Sequence, residues 1–406
     1  MEKKYWKGLE ELNNDAEFVR LKNNEFYEPL PIDELVNKKA EDATVTPRRD
    51  FLKFLGFSVA AASLAACEAP VRKTIPYLIR PDQVTPGIAN YYASTYWDGN
   101  DYAAVVVKTR EGRPIKVEGN ELSSINKGRV NARVQASVLS LYDNTRLRQP
   151  MMNGNAAKWA DVDKEVSSKL AAIASKGGKI RILSSTVISP STMKVIEQFV
   201  AKYPTAKHVQ YDAVSASGML QANAQNFGVE ALPSYSFNKA NVVVSFGADF
   251  LGTWINPVEF AAQYAEARNL NEGKKSMSRH YQFESMLSLT GSNADKRIGV
   301  KPSQQGAMVA ALYNAVAAKA GASSINAPSA GDAGKDMAKI AEELWANRGK
   351  SLVVCGVNNA AIQSLVNSIN VMLDNYGSTI DLSTPCYLRK GNDAHVAELV
   401  SELNGG

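Results

Sequence analysis

The sequence predicts an α/β protein with mostly parallel sheets covered by helices, preceded by a small β region and an extended N-terminal leader. Three observations lead there. From residue 159 onward, short apolar runs alternate with amphipathic stretches of helical spacing, the pattern of repeated βαβ units. Between residues 91 and 150 the apolar residues fall instead in short β-like runs punctuated by turns. Before them lies Pro47-Arg48-Arg49-Asp50-Phe51-Leu52-Lys53, followed by an uncharged run that closes on Leu64-Ala65-Ala66-Cys67.

The chain divides on this basis into five parts. Residues 1–46 form a polar extension in which Tyr5, Trp6, Leu9 and Leu12 share a helical face before Pro29 and Pro31 interrupt it. Residues 47–67 have the order of a twin-arginine export signal: Arg48 and Arg49, then Phe51, Leu52 and Lys53, then thirteen small or apolar residues. That run is too short to span a bilayer, which takes about 20 residues. Its last four residues read as a lipobox, making Cys67 the expected lipidation site. Pro47 stands where such signals usually carry Ser or Thr, and the signal begins unusually far into the chain. Residues 68–90 are a proline-rich linker, 91–150 the small β region, and 151–406 the α/β region.

Within the β region, Ala103-Ala104-Val105-Val106-Val107 and Pro114-Ile115-Lys116-Val117 are strands, joined by a hairpin at Arg110-Glu111-Gly112-Arg113. A short helix is expected over 133–142, stopped near Asp143. In the α/β region, helices are expected over 159–174, 191–203, 215–227, 257–268, 305–320, 336–347 and 359–369. Strands are expected over 180–183, 208–211, 242–246, 297–300 and 352–355.

Composition narrows the function classes. With 406 residues, 45% of them hydrophobic, the chain can bury one large core or two ordinary ones. A net charge of +5 is too mild for a nucleic-acid partner. Residues 1–66 hold 10 basic and 12 acidic side chains, leaving 36 and 29 scattered over the remainder without a basic stripe. Cys67, Cys355 and Cys386, with His208, His280 and His395, are all the soft metal ligands in the chain. A [4Fe–4S] cluster takes four thiolates, so this chain alone cannot hold one. Cys355 and Cys386 are open to two readings, a disulfide or a pair of buried thiols.

Two strand ends carry a glycine where open α/β folds place ligand loops: Phe246-Gly247-Ala248-Asp249 and Cys355-Gly356-Val357-Asn358. Neither has G-x-G-x-x-G and the chain lacks a Walker A motif, so ordinary βα turns are the expectation and nucleotide cradles the alternative. His280 and Glu284 lie close enough in sequence for acid–base work, but without a nucleophile motif. A hydrogen-bonded structural histidine at a loop or interface is the expected role. His208 opens a strand and His395 sits in a late helix, each without a sequence-near ligand partner. Ser303 is placed to cap the helix that follows it.

The residues Gly112-Arg113-Pro114-Ile115-Lys116-Val117-Glu118-Gly119-Asn120, Asn126-Lys127-Gly128 and 135–143 resemble the molybdopterin-dependent oxidoreductases of the dimethyl sulfoxide reductase type. The cysteine motif that precedes this hairpin in the family is missing, and no cysteine lies between Cys67 and Cys355 to ligate molybdenum. Tyr5-Trp6-Lys7-Gly8-Leu9, Arg48-Arg49-Asp50-Phe51-Leu52-Lys53, Ile75-Pro76-Tyr77, residues 280–285 and Val300-Lys301-Pro302-Ser303-Gln304 are similar to the B subunits of alternative complex III. That resemblance implies a cofactor-free structural half of an exported respiratory subunit. It would lie on the periplasmic side of the inner membrane, held there by lipid or by partners. Its partners would be membrane quinol-binding subunits and multihaem cytochrome subunits. Iron–sulfur clusters are expected in a C-terminal half beyond residue 406. The alternatives are an active molybdopterin enzyme fragment and an exported lipoprotein binding module.

Overall fold

The structure, a computed structural model, describes residues 82, 84–270, 273 and 275–405. All of them fall in one compact unit, Ile79–Gly406. The export signal, Arg48, Arg49, Phe51, Leu52, Lys53 and the lipobox Cys67, lies outside the described residues.

The β region is an antiparallel meander of β1 (Ala89–Trp97), β2 (Tyr102–Arg110) and β3 (Arg113–Gly119). Its β2–β3 hairpin turns on two residues, Glu111 and Gly112, both at positive φ (51° and 74°). This is the twist-matched two-residue connection that favours glycine, at the place the sequence predicted. The expected helix over 133–142 splits into α1 (Ala132–Ala136) and a 3-10 turn over Ser137–Tyr142. Asn131 caps α1 by accepting from the Val134 amide at 3.0 Å. Ala103, Val105, Val117 and Val134 close over Val258 of the following α/β layer and make a small core there.

Short strands β4 (Met151–Met152) and β5 (Asn155–Ala156) lead into α2 (Trp159–Ser175), β6 (Ile180–Ser184), α3 (Pro190–Lys202) and β7 (Ala206–Gln210). β6 and β7 pair in parallel. Helix α4 (Ser217–Phe227) and strand β8 (Leu232–Tyr235) follow. The centre of the molecule is then built from β9 (Val242–Phe246), α5 (Pro257–Arg268), β10 (Arg279–Glu284), α6 (Leu289–Ser292), β11 (Lys296–Gly299), α7 (Gln305–Ala320), α8 (Met337–Ala346), β12 (Ser351–Cys355) and α9 (Ala360–Met372). β13 (Ile380–Cys386) returns antiparallel to β8, and α10 (Asp393–Asn404) is the last helix described.

The four central strands are all parallel and lie in the order β11-β10-β9-β12. The chain winds outward from β9 through β10 to β11, then crosses back to place β12 on the other side of β9. Strand direction alternation puts two sets of side chains on opposite faces. Val242, Val244, Phe246, Tyr281, Phe283, Val353 and Cys355 pack on α7, α8 and α9. Phe246 and Phe283 stack there with centroids 4.9 Å apart. Val243, Leu352 and Val354 face α4, α5 and an aromatic cluster of Tyr235, Phe237, Phe250, Trp254 and Phe260.

Two expectations are corrected. His280 lies not in a loop or interface but in β10, inside the central sheet. Ser303 does not cap α7: it lies in a 3-10 turn over Pro302–Gln304, and the residue at the N-cap of α7, Gln304, makes no side-chain capping hydrogen bond. Lys301-Pro302 already sets the approach to the helix, since proline is pre-organised for a first helical turn.

Candidate functional site at the strand crossing

In open α/β sheets a ligand crevice opens at the carboxyl ends of two neighbouring strands whose connections leave in opposite directions. Here those strands are β9 and β12, whose ends are the two glycine turns singled out in the sequence. Gly247 is left-handed (φ 64°), a conformation glycine adopts without strain. Its amide donates to the Phe283 carbonyl at 2.7 Å, while the Gly356 amide donates to the Phe246 carbonyl at 2.8 Å. A Cβ on Gly356 would sit 2.4 Å from the Gly247 carbonyl oxygen. In a phosphate cradle, glycine lets the backbone approach a ligand; here it lets one turn approach the other.

What remains of the crevice is a cavity of about 30 Å³, lined by Met219, Trp254, Ile255, Cys355, Val357 and Arg389 among others. Ile255 is a β-branched residue at φ 54°, a strained conformation. The Arg389 side chain is buried, with the residue 2% exposed. Its Nη1 donates to the carbonyl of Leu388 at 2.9 Å and its Nη2 to that of Asn100 at 3.2 Å. Burial pushes its pKa down, against the pull of Asp212, Asp101 and Asp98.

Asp249, the carboxylate of the first turn, is used structurally. Its Oδ1 accepts from the Thr290 hydroxyl at 2.7 Å and the Thr290 amide at 3.1 Å, tying the end of β9 to α6. Asn358, at the second turn, accepts from the Gly218 amide at 2.7 Å and donates to Asp393 at 2.7 Å.

His280, Gln282 and Glu284 form a polar column on one face of β10. His280 Nδ1 meets the Tyr264 hydroxyl at 3.1 Å, and its Nε2 meets Gln282 Oε1 at 3.2 Å. Gln282 Nε2 donates to Glu284 Oε2 at 3.2 Å. Glu284 also accepts from the Ser288 hydroxyl at 2.6 Å and from Arg297 Nε at 2.5 Å. Burial pushes the His280 pKa down to about 4, so the ring is neutral at ordinary pH. For Glu284 burial acts upward, but the Ser288 and Arg297 hydrogen bonds outweigh it and hold the carboxyl below its ordinary range. His280 and Glu284, suggested as an acid–base pair by sequence, are thus linked through Gln282 in a satisfied internal network. The pair does not line the cavity at the crossing.

His208 Nε2 lies 2.8 Å from the Ser184 hydroxyl, across the β6–β7 pair, and burial lowers its pKa. The amide of His395 is bonded to the Asn392 side chain that caps α10. Cys355 and Cys386 are free thiols, which resolves the two readings left open by sequence. Burial pushes the first up to about 12 and the second to about 11, so neither is a thiolate near neutrality. Among the described residues no group of three or more His, Cys, Asp or Glu is placed to hold a metal. No helix among them is long and apolar enough to cross a membrane.

A second strand-end depression, of about 340 Å³, lies at the carboxyl ends of β6 and β7 and is lined by Asp98, Asn100, Ser184, Tyr211 and Asp212. Its lining includes two carboxylates and no basic residue. Asp212 itself accepts from the Thr186 hydroxyl (2.7 Å) and amide (3.0 Å) and from the Lys390 and Gly391 amides (3.2 and 2.8 Å). Neither place fits a pterin dinucleotide. Ligand clefts of that kind take about 300 Å³ or more, so the crossing of β9 and β12 is too small. The other offers carboxylates where a diphosphate needs cations or free amides.

At the level of class, the chain has a distant, molybdopterin-oxidoreductase-like relationship. The sequence relative that carries it is the menaquinone reductase, molybdopterin-binding-like subunit of Nitratidesulfovibrio vulgaris, 24% identical over 230 residues. That segment covers 54% of this chain and 32% of the relative, so the match spans about a third of the relative's length. No family model matches the chain. Among solved structures, acetylene hydratase from Pelobacter acetylenicus is similar with a TM-score of 0.47 and 11% identity, over 72% of this chain and 43% of that one. The formyltransferase/hydrolase complex of Methylorubrum extorquens is similar with a TM-score of 0.40 and 13% identity, over 56% and 58%.

Proposed function

We propose that this chain is the cofactor-free structural half of an exported respiratory electron-transfer subunit. In this reading it scaffolds a quinol-oxidising membrane complex of the alternative complex III type. The observation that carries the proposal is the contact between the β9 and β12 turns, which fills the place where an open α/β sheet would hold a cofactor. The menaquinone reductase relative, whose printed name calls its subunit molybdopterin-binding-like, supports the respiratory setting. The twin-arginine pattern at Arg48 and Arg49, with Phe51, Leu52 and Lys53, supports export, and Cys67 is the proposed lipid attachment site. The proposed location is therefore the periplasmic face of the inner membrane. Quinol-binding membrane subunits and multihaem cytochromes are the partners, and the iron–sulfur clusters are carried outside this chain.

The test is molybdenum and pterin analysis of the chain isolated with its partners, and iron analysis of the chain separated from them. The expected result is no stoichiometric molybdenum and no pterin fluorescence after denaturation and oxidation in the first, and no stoichiometric iron in the second. Molybdenum or pterin at one equivalent in the first, or iron at one equivalent in the separated chain, would overturn the scaffold reading. Mass spectrometry of the N-terminus checks the anchor separately: an intact Met1 with unmodified Cys67 removes lipidation from the account.

A further inference from the structure

The β meander has two edges, and they are built differently. Strand β3 forms one of them and carries Arg113, Pro114, Lys116 and Glu118. That edge is also covered. The Tyr142 hydroxyl donates to the Pro114 carbonyl at 2.5 Å, and the loop at Gly128 packs so closely on Gly119 that a Cβ there would meet the Gly128 carbonyl. Proline, charge and a covering loop are the devices that stop a sheet edge from pairing further. Strand β1, nine residues long, forms the other edge and lacks the first two. From Ile88 to Trp97 the sequence holds no charged residue, proline or glycine, and its Tyr, Thr and Trp residues favour strands. Among the described residues β1 pairs with β2 alone.

The ladder fixes which backbone groups of β1 point outward. The Ala104 carbonyl accepts from the Asn120 amide at 2.9 Å, so Ala104 and its alternates turn toward β3. Ala103, Val105, Val107 and Thr109 then turn toward β1, opposite Tyr96, Ser94, Tyr92 and Asn90. The backbone groups of Tyr91, Ala93 and Thr95 are left at the open edge. All five residues from Tyr91 to Thr95 are exposed, with Tyr91 at 57% and Tyr92 at 56%. Successive side chains alternate between faces, so both faces of the strand are bare over this stretch. Its midpoint is Ala93. The two ends of β1 also differ in charge. Arg110 stands opposite Ala89, and Lys108 stands opposite Tyr91 with its Nζ 5.8 Å from the ring centroid. At the far end the exposed Asp98 follows Trp97, and the one arginine over Trp97, Arg389, is buried.

We propose that β1 is a docking edge for a second copy of this chain, the two β1 strands pairing antiparallel about a two-fold axis at Ala93. This register sets Tyr91 opposite Thr95 of the second copy and Ala93 opposite its own counterpart, so the outward backbone groups of each strand meet those of the other. Tyr with Thr is an aromatic and β-branched cross-strand pair, which is stabilising. The basic end of each strand comes beside the acidic end of the other, and the two meanders become one continuous sheet. An isologous contact of this kind closes at a dimer. Nothing in this depends on the respiratory reading.

Sedimentation velocity over a dilution series of the full-length chain tests it, with the unsubstituted protein, Ala93→Lys and Ala93→Asp. The expected result is a monomer–dimer equilibrium in the unsubstituted chain. It should weaken at least tenfold in each variant alone, where like charges meet at the axis, and return in an equimolar mixture of the two. The Ala93 side chain is exposed, so both variants should keep the fold, and the dilution series of the unsubstituted chain stands without them. A monomer at every concentration overturns the self-pairing and leaves the edge to a different polypeptide. A dimer that neither substitution weakens, or a mixture no tighter than its components, overturns the two-fold pairing at Ala93.

Discussion

Replacing Gly356 by alanine tests the closure of the strand crossing most directly. The new methyl would stand 2.4 Å from the Gly247 carbonyl oxygen, 2.9 Å from its carbonyl carbon and 3.1 Å from the Ala248 Cα. A carbon–oxygen contact relaxes at about 3.3 Å or more, so the two turns must separate by about 0.9 Å. All three obstacles are backbone, and they continue directly from paired central strands, with Cys355 opposite Phe246. No side-chain rotation relieves them. Overpacking of this kind costs about 1–3 kcal/mol, and the rigid surroundings place Gly356→Ala near about 3 kcal/mol. At about 2–4 °C per kcal/mol for a domain of this size class, the melting temperature should fall by about 6–12 °C. Gly299→Ala is the control, because a methyl there meets nothing within 4 Å. Its melting temperature should stay near that of the unsubstituted chain. If Gly356→Ala melts alongside this control, the turns are not in contact and do not close the crevice between β9 and β12.

Three further outcomes follow from the buried network and the thiols. His280, held down to about 4 from an ordinary value near 6.5, stays uncharged in the fold while the unfolded chain takes up a proton. Stability should therefore be full above about pH 6.5 and fall as pH drops toward 4, by up to about 3 kcal/mol, in urea titrations at stepped pH. Gly291→Ala would place a methyl 1.9 Å from Glu284 Oε1 and push that carboxylate off Ser288 and Arg297. The loss should be about 1–3 kcal/mol, the cost of overpacking, read as a lower urea midpoint than that of Gly299→Ala; equal midpoints would refute the steric account. Cys355 should resist iodoacetamide at pH 8 in the native chain and label fully in denaturant, read from its own peptide, since its thiol is pushed up to about 12.

Much of the α/β layer was legible because its local signals agree with its packing. Pro257 at the first position of α5 and Gly321 after α7 bracket helices whose bounds match the pattern, and the uniformly apolar Val242–Phe246 is a strand buried on both faces. β10 was not recognised because alternation of His280, Gln282 and Glu284 with Tyr281 and Phe283 reads as a half-exposed segment. In the fold both faces are buried, and the polar one is satisfied internally. β13 was missed for a different reason: it contains Pro385 and breaks register against β8 between Asp381 and Cys386. The importance of Arg389 was invisible in sequence. An isolated Arg-Lys pair normally lies in solvent, and its partner carbonyl on Asn100 comes from 289 positions earlier in the chain.

The β6–β7 layer has a consequence for motion. Neither α2 nor α3, which flank its two strands in sequence, contributes a fully buried residue, and Leu183 and Val195 are 58% and 64% exposed. The bidentate contact of Arg181 with Glu402, at 2.7 Å on each arm, ties the layer's first strand to α10. Few apolar contacts mean a low free energy of opening, so this layer should exchange its amide hydrogens as a separate cooperative unit, well before the β9–β12 sheet. A protein seated on those exposed aliphatics would slow that exchange without touching the central sheet. Amide protection in α2, α3 and β6 would therefore report such binding separately from the stability of the central sheet.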